Sequence, residues 1–167
     1  MKIQELKKEI PTIFEKVKRD VEKVINRHRA GLSLGLVELG FSQYGFVGGM
    51  FFSGGTMILM NSTALRLLLA KEDISEDIIH AYVYHVLLHE YIHSLGCLNE
   101  RHCREITYYV TKEVIENVDH PALVMAVRGI GAYFPEIIYA PAGFEIPRNI
   151  TIENVENFDK SSTTYYS

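Results

Sequence analysis

Residues 75–96 constrain the fold most: they carry one long helical signal whose last turns hold two imidazoles and a carboxylate. Ser75 is a good N-cap, Glu76 and Asp77 place acids in the first turn, and apolar positions then dominate up to His89-Glu90-Tyr91-Ile92-His93. Gly96, three residues past His93, suits a cap that ends the helix just below the second imidazole. Residues four apart stand one above the other on a helix face, so His89 and His93 can converge on one ion with Glu90 beside it. Zinc favours such donors, lowers the pKa of a bound water from about 15.7 to about 7, and leaves a flanking carboxylate to take the proton. His89 and His93 are therefore candidate metal ligands and Glu90 a candidate general base.

This stretch resembles the active-site helix of the zincin metallopeptidases, which carries H-E-x-x-H. The added Gly96 is similar to the metzincin pattern, but the place of its third ligand, a His or Asp, is held here by Asn99, a poor zinc ligand. Met125 lies in a stretch that reads as helix rather than as a Met-turn, and the archaemetzincin pattern would require a His at 99 followed by a Cys. The chain is closer to the minimal zincins called minigluzincins, in which a carboxylate on the following segment completes the site. The resemblance implies an α+β, zincin-like single domain with a small mixed sheet packed on the H-E-x-x-H helix and further helices. It also implies a zinc-dependent peptidase acting on a peptide or protein, with the substrate added in extended form to a strand ahead of the metal helix. Met57–Asn61, or the hairpin beside it, is the candidate for that strand. The alternative is a zincin-fold, zinc-binding regulatory protein without peptidase activity.

The third ligand is argued from spacing. Asn99 looks like an N-cap, and Ile106, Tyr109, Val110 and Val114 continue with helical period, so a second helix doubles back at once. Glu100, His102 and Glu105 fall in its first two turns. Glu100, just after the glycine turn, is preferred; His102 is second because imidazole suits zinc, and Glu105 third because it can pair with Arg101. His85 continues the imidazole stripe, but one helical turn rises about 5.4 Å, too far for a third ligand from the same straight helix. It is expected either as a residue supporting the metal ligands or as a buried, hydrogen-bonded histidine, and His28, His80 and His120 as surface or capping residues.

With 167 residues, 47% hydrophobic and 23% charged, the chain can bury one sizeable core, so residues 1–167 are expected as a single domain. A net charge of -4 argues against a nucleic-acid partner. The first residues lack the continuous apolar core of a secretory signal and no apolar run is long enough to span a bilayer, so a cytoplasmic protein without a membrane partner is expected. Cys97 and Cys103 are too few for a disulfide framework and fall outside a C-x-x-C zinc pattern; they are expected as buried free thiols, with a local disulfide as the alternative, and either could line the metal pocket.

Pro11 is expected to open a first helix running to about Arg29, its many Lys and Arg residues forming a solvated face. Strands are expected near residues 32–39, 46–52 and 56–61, helices over 62–71 and 76–95, and a last helix from Pro121 to about Tyr133. From about residue 137 an irregular segment is expected to wrap the domain, with Tyr139 as a candidate oxyanion donor.

Overall fold

Helix α1 (Ile3–Ile25) begins well before Pro11, which lies buried inside it rather than opening it. Leu6, Ile10, Phe14, Val17 and Val21 form a fully buried stripe at helical spacing on both sides of the proline. Each such side chain contributes about 1.5–3 kcal/mol on burial, so the stripe outweighs the ~3 kcal/mol cost of an interior proline. The helix stops short of Arg29 because Asn26 adopts the left-handed conformation (φ 53°), with its N–H donated to the Glu22 carbonyl. Asparagine tolerates that region better than most residues.

The computed structural model describes residues 1–40, 47–134 and 151–159. These form a mixed α+β architecture of five α-helices and a four-stranded sheet. Strands β1 (Ser33–Val37), β2 (Gly49–Phe51), β3 (Met57–Asn61) and β4 (Glu153–Asn154) lie in the order β2-β3-β1-β4. β1 is parallel to β3, with Ser33 opposite Met57, whereas β2 and β4 pair antiparallel with β3 and β1. Met57–Asn61 is therefore an interior strand with both edges paired, and the hairpin strand beside it, β2, is one of the two edge strands among the described residues. Asn61 turns β3 into α2 (Ser62–Ala70): its buried side chain accepts from Thr63 N and Leu39 N and donates to the carbonyls of Gly40 and Val47.

Helix α3 (Glu76–Ser94) starts at Ser75, whose hydroxyl accepts from Ile78 N. It is buried nearly all round, packing against α1, α4 (Glu100–Val114), α5 (Pro121–Arg128), β2 and β3. That central position explains its weak amphipathicity, since a helix with neighbours on every side has no solvated face to keep polar. Helix α5 ends earlier than Tyr133. Gly129 takes φ 83°, ψ 168°, which only glycine adopts without strain, and a short 3-10 helix (Ile130–Ala132) follows.

Residues 151–159 dock on α1 and β1. Val155 N donates to Leu34 O, Phe158 stacks on Phe14 at 4.0 Å between centroids, and Asp159 accepts from Lys18 Nζ (2.7 Å) and Leu32 N (3.1 Å). Lys18 is thus not on a solvated face; its side chain is 4% exposed and bridges Asp159 and Glu15. The rest of the expected wrapping segment, Tyr139 included, lies outside the described residues. Among the described residues no helix is long and apolar enough to cross a membrane.

Candidate metal centre

The end of α3 is fixed by arginines that follow α1. Arg27 donates to the Leu95 carbonyl (2.8 Å), and Arg29 donates to the carbonyls of Ser94 (2.6 Å) and Gly55 (2.8 Å). Cations at the C-terminal carbonyls satisfy groups that have no partner within the helix and complement its dipole. Gly96 (φ 106°) then reverses the chain and Asn99 caps α4, its side chain accepting from His102 N. This short connection brings the first turn of α4 against the last turn of α3.

His89 and His93 stand edge-to-face with ring centroids 4.8 Å apart. Glu100 reaches both: Oε1 lies 2.8 Å from His89 Nε2 and Oε2 lies 2.9 Å from His93 Nε2. The remaining nitrogen of His93, Nδ1, is 2.7 Å from the Cys97 carbonyl. A carbonyl only accepts, so Nδ1 carries the proton, and a neutral His93 ring presents the lone pair of Nε2 to a carboxylate oxygen. Two acceptors face each other at hydrogen-bonding distance. The contact requires positive charge between them, either a second ring proton or a metal ion. Burial, opposed by Glu100, holds the His89 pKa below the ordinary imidazole value, which favours the neutral form that ligates metal. Donors around tetrahedral zinc are spaced by about 3.3 Å; the Glu100 oxygens stand 2.8 and 2.9 Å from the two Nε2 atoms, one oxygen on each histidine.

Cys103 offers a different third donor: its sulfur and one nitrogen from each of His89 and His93 lie within 4.8 Å of one another. We prefer Glu100, because its oxygens meet both Nε2 atoms below 3 Å, whereas the Cys103 thiol donates to the His89 backbone carbonyl at 3.5 Å. Burial also holds that thiol well above its ordinary pKa, against formation of the ligating thiolate. Glu100 is held below the usual carboxylate range: partial burial would raise it, but the two histidines outweigh that effect. His102 and Glu105 are exposed and face each other at 3.7 Å, with Arg101 near Glu105 at 3.6 Å; neither contacts the histidine pair.

A cleft of about 780 Å³ runs over the histidines, with β2 on one side and residues 125–131 on the other. Glu90 lines it, 5% exposed, with Oε2 buried and without a hydrogen-bond partner. Burial pushes its pKa up to about 7, with His93 opposing and Glu100 adding to the shift. Strand β2 abuts this residue so closely that a Cβ on Gly49 would lie 3.2 Å from Glu90 Cγ and 2.9 Å from Val86 Cγ1. His85 lines the same cleft. Its Nδ1 has no hydrogen-bond partner, unlike the bonded histidine expected, and burial followed by repulsion from His89 pushes its pKa down to about 4. His80 pairs with Glu9 across the α1/α3 contact, His120 caps α5 by accepting from Ala122 N, and His28 is exposed.

The roles of Arg27, Arg29 and the Cys97 carbonyl carry no signal in the sequence. The arginines belong to a run of charges that looked solvated, and the Cys97 contribution comes from its backbone carbonyl. Comparison of the chain with protein-family models, curated proteins and solved structures finds no match.

Proposed function

We propose that the chain is a zinc-dependent metallopeptidase of the zincin type, with His89, His93 and Glu100 as metal ligands and Glu90 as general base. The observation that carries this reading is the Glu100 carboxylate set against Nε2 of both His89 and His93 while Nδ1 of His93 is committed to the Cys97 carbonyl. When bound, the ion supplies Lewis acidity toward a peptide carbonyl and toward water. Glu90 lines the same cleft, and its carboxylate, with the pKa pushed up to about 7 by burial, is the group that receives the water proton and returns it to the departing amine nitrogen. The neutral His85 ring and the apolar wall of β2 limit water around that carboxylate. The edge of β2 supplies backbone N–H and C=O groups for an extended peptide, whose side chains would alternate between the cleft and solvent.

The test is Glu90→Gln, which keeps the side-chain shape but cannot take the proton. Zinc content should stay near one ion per chain while cleavage of a peptide library falls by at least about a hundredfold. Equal, background-level cleavage by both forms with zinc bound in both would reject the peptidase. A second reading, a zincin-fold zinc-binding regulatory protein without peptidase activity, is favoured by Cys103. With Glu100 and both histidines it would make four protein donors and leave no place for water. Under that reading Cys103→Ala lowers zinc affinity as strongly as Glu100→Ala.

A further inference from the structure

The geometry points to a dithiol pair, Cys97 and Cys103, that oxidises reversibly to a disulfide and thereby weakens metal binding at the adjoining centre. Cys97 follows the Gly96 turn and Cys103 lies in the first turns of α4, so the two bracket Glu100 in sequence. A single carbonyl ties them together: Asn99 O accepts from Cys103 N at 2.9 Å and from Cys97 Sγ at 3.8 Å. The Cys103 thiol is within side-chain hydrogen-bonding reach of Cys97 across the turn that Asn99 caps. Cys97 is half-buried and Cys103 buried, so an oxidant meets Cys97 first and Cys103 acts as the resolving thiol.

The exchange balances with a low-molecular-weight disulfide such as oxidised glutathione. The Cys97 thiolate attacks one oxidant sulfur, the oxidant S–S bond breaks, and one glutathione thiolate leaves a mixed disulfide on Cys97. Cys103 then attacks the Cys97 sulfur while its thiol proton passes to the departing glutathione sulfur; the Cys97–Cys103 bond forms and the second glutathione leaves as the thiol. Two protein thiols are oxidised and one oxidant disulfide is reduced to two thiols.

Both cysteines hold the histidines. The Cys97 carbonyl fixes the His93 tautomer (2.7 Å), and the Cys103 thiol donates to the His89 carbonyl (3.5 Å). A disulfide removes that donor and closes a covalent ring around Glu100. Changing such supporting contacts typically costs 10–100-fold in metal affinity. The pairing of the thiols does not depend on the metal reading, whereas its effect on affinity does.

The full chain is equilibrated in reduced and oxidised glutathione, its remaining thiols are alkylated after denaturation, and the mass is read. The expected result is joint loss of both alkylation sites with no glutathione attached. Cys97→Ser and Cys103→Ser should each keep a thiol that is alkylated or glutathionylated. Two thiols that react independently in the wild type, or that stay fully reduced under oxidising buffer, overturn the pair. Zinc affinity, measured by chelator competition, should be weaker by about tenfold or more in the oxidised form. It should recover on reduction and be insensitive to glutathione in a Cys97→Ala/Cys103→Ala variant. Equal affinity in both redox states overturns the control of the centre. Absence of zinc binding by the reduced wild type overturns both that control and the metal reading, leaving the alkylation result to stand or fall separately.

Discussion

Glu100 stands 55% exposed at the start of α4, yet its two oxygens are each committed to a histidine. An exposed carboxylate at a helix start ordinarily does no more than complement the dipole, a contribution of about 0.3–1 kcal/mol. Removing a metal ligand has a far larger effect. Glu100→Ala should lower zinc affinity by orders of magnitude, whereas His102→Ala and Glu105→Ala, which lie outside the histidine pair, should bind as wild type. Chelator competition on the three variants checks this, and loss of zinc from His102→Ala with retention in Glu100→Ala would reject the ligand set. The position of Glu100 was legible from the sequence because Gly96 and Asn99 fix the turn, and with it the register of α4 against His93. The hydrogen-bond partners of His93 were not legible, since a backbone carbonyl carries no signature in the sequence. Likewise the unpartnered Nδ1 of His85 depends on what surrounds α3, which periodicity does not report.

Strand β2 and helix α3 meet at Gly49, where the missing side chain lets the strand approach the helix. A methyl group there would sit 3.0 Å from the Leu59 carbonyl, which is backbone and cannot give way cheaply, besides crowding Val86 and Glu90. Gly49→Ala should destabilise the fold by about 1–3 kcal/mol through overpacking. It should also reduce Glu90-dependent cleavage more than zinc content, because the strand and the base move while the ligands do not. Urea denaturation, metal analysis and the peptide assay read the three quantities; unchanged stability and activity would mean that β2 does not press on the base. The arginines at the C-terminal end of α3 allow a second test. Arg29→Met removes two charged hydrogen bonds to carbonyls, each worth about 1.5–3 kcal/mol, and should lower the urea midpoint accordingly. Helices α3 and α4 were readable because Ser75, Gly96 and Asn99 punctuate them. Helix α1 was misread because Pro11 normally marks a first turn, and only the buried stripe shared with α3 reveals that the helix runs through it. The short strands lay within broader apolar runs, where periodicity does not say which residues pair or which strand becomes the edge.

The ends of the described chain are joined through the core as well as at the surface, where Gln4 and Lys7 reach Glu153. The buried Asp159 carboxylate accepts from Lys18 and from the N–H of Leu32, next to the start of β1, so it links α1, the sheet and the C-terminal segment. Asp159→Ala leaves Lys18 buried beside Glu15 without its main counterion and should destabilise by about 3–5 kcal/mol, the usual cost of breaking a buried pair. The same pair sets the alkaline limit of the fold. Burial alone would lower the Lys18 pKa, but hydrogen bonds to Asp159 and Glu15 outweigh it and raise the value above 10.5. A raised lysine contributes its stabilisation fully below its unfolded value and loses it as pH climbs through the folded one. The phenols of Tyr82, Tyr84 and Tyr91 act in the same direction: burial keeps each neutral above its ordinary pKa of 10.0, whereas an unfolded chain would ionise them there. Neither kind of group changes charge near neutral pH, so stability is flat there, and both favour unfolding above about pH 10. The expected outcome is one cooperative alkaline transition in which phenolate absorbance from the buried tyrosines rises together with loss of helical circular dichroism. The stability difference between wild type and Lys18→Met should shrink over the same range. Titration of all tyrosines near their ordinary value, with the helices intact, would show that these phenols are open to solvent and that α1, α3 and the C-terminal segment do not share one sealed core.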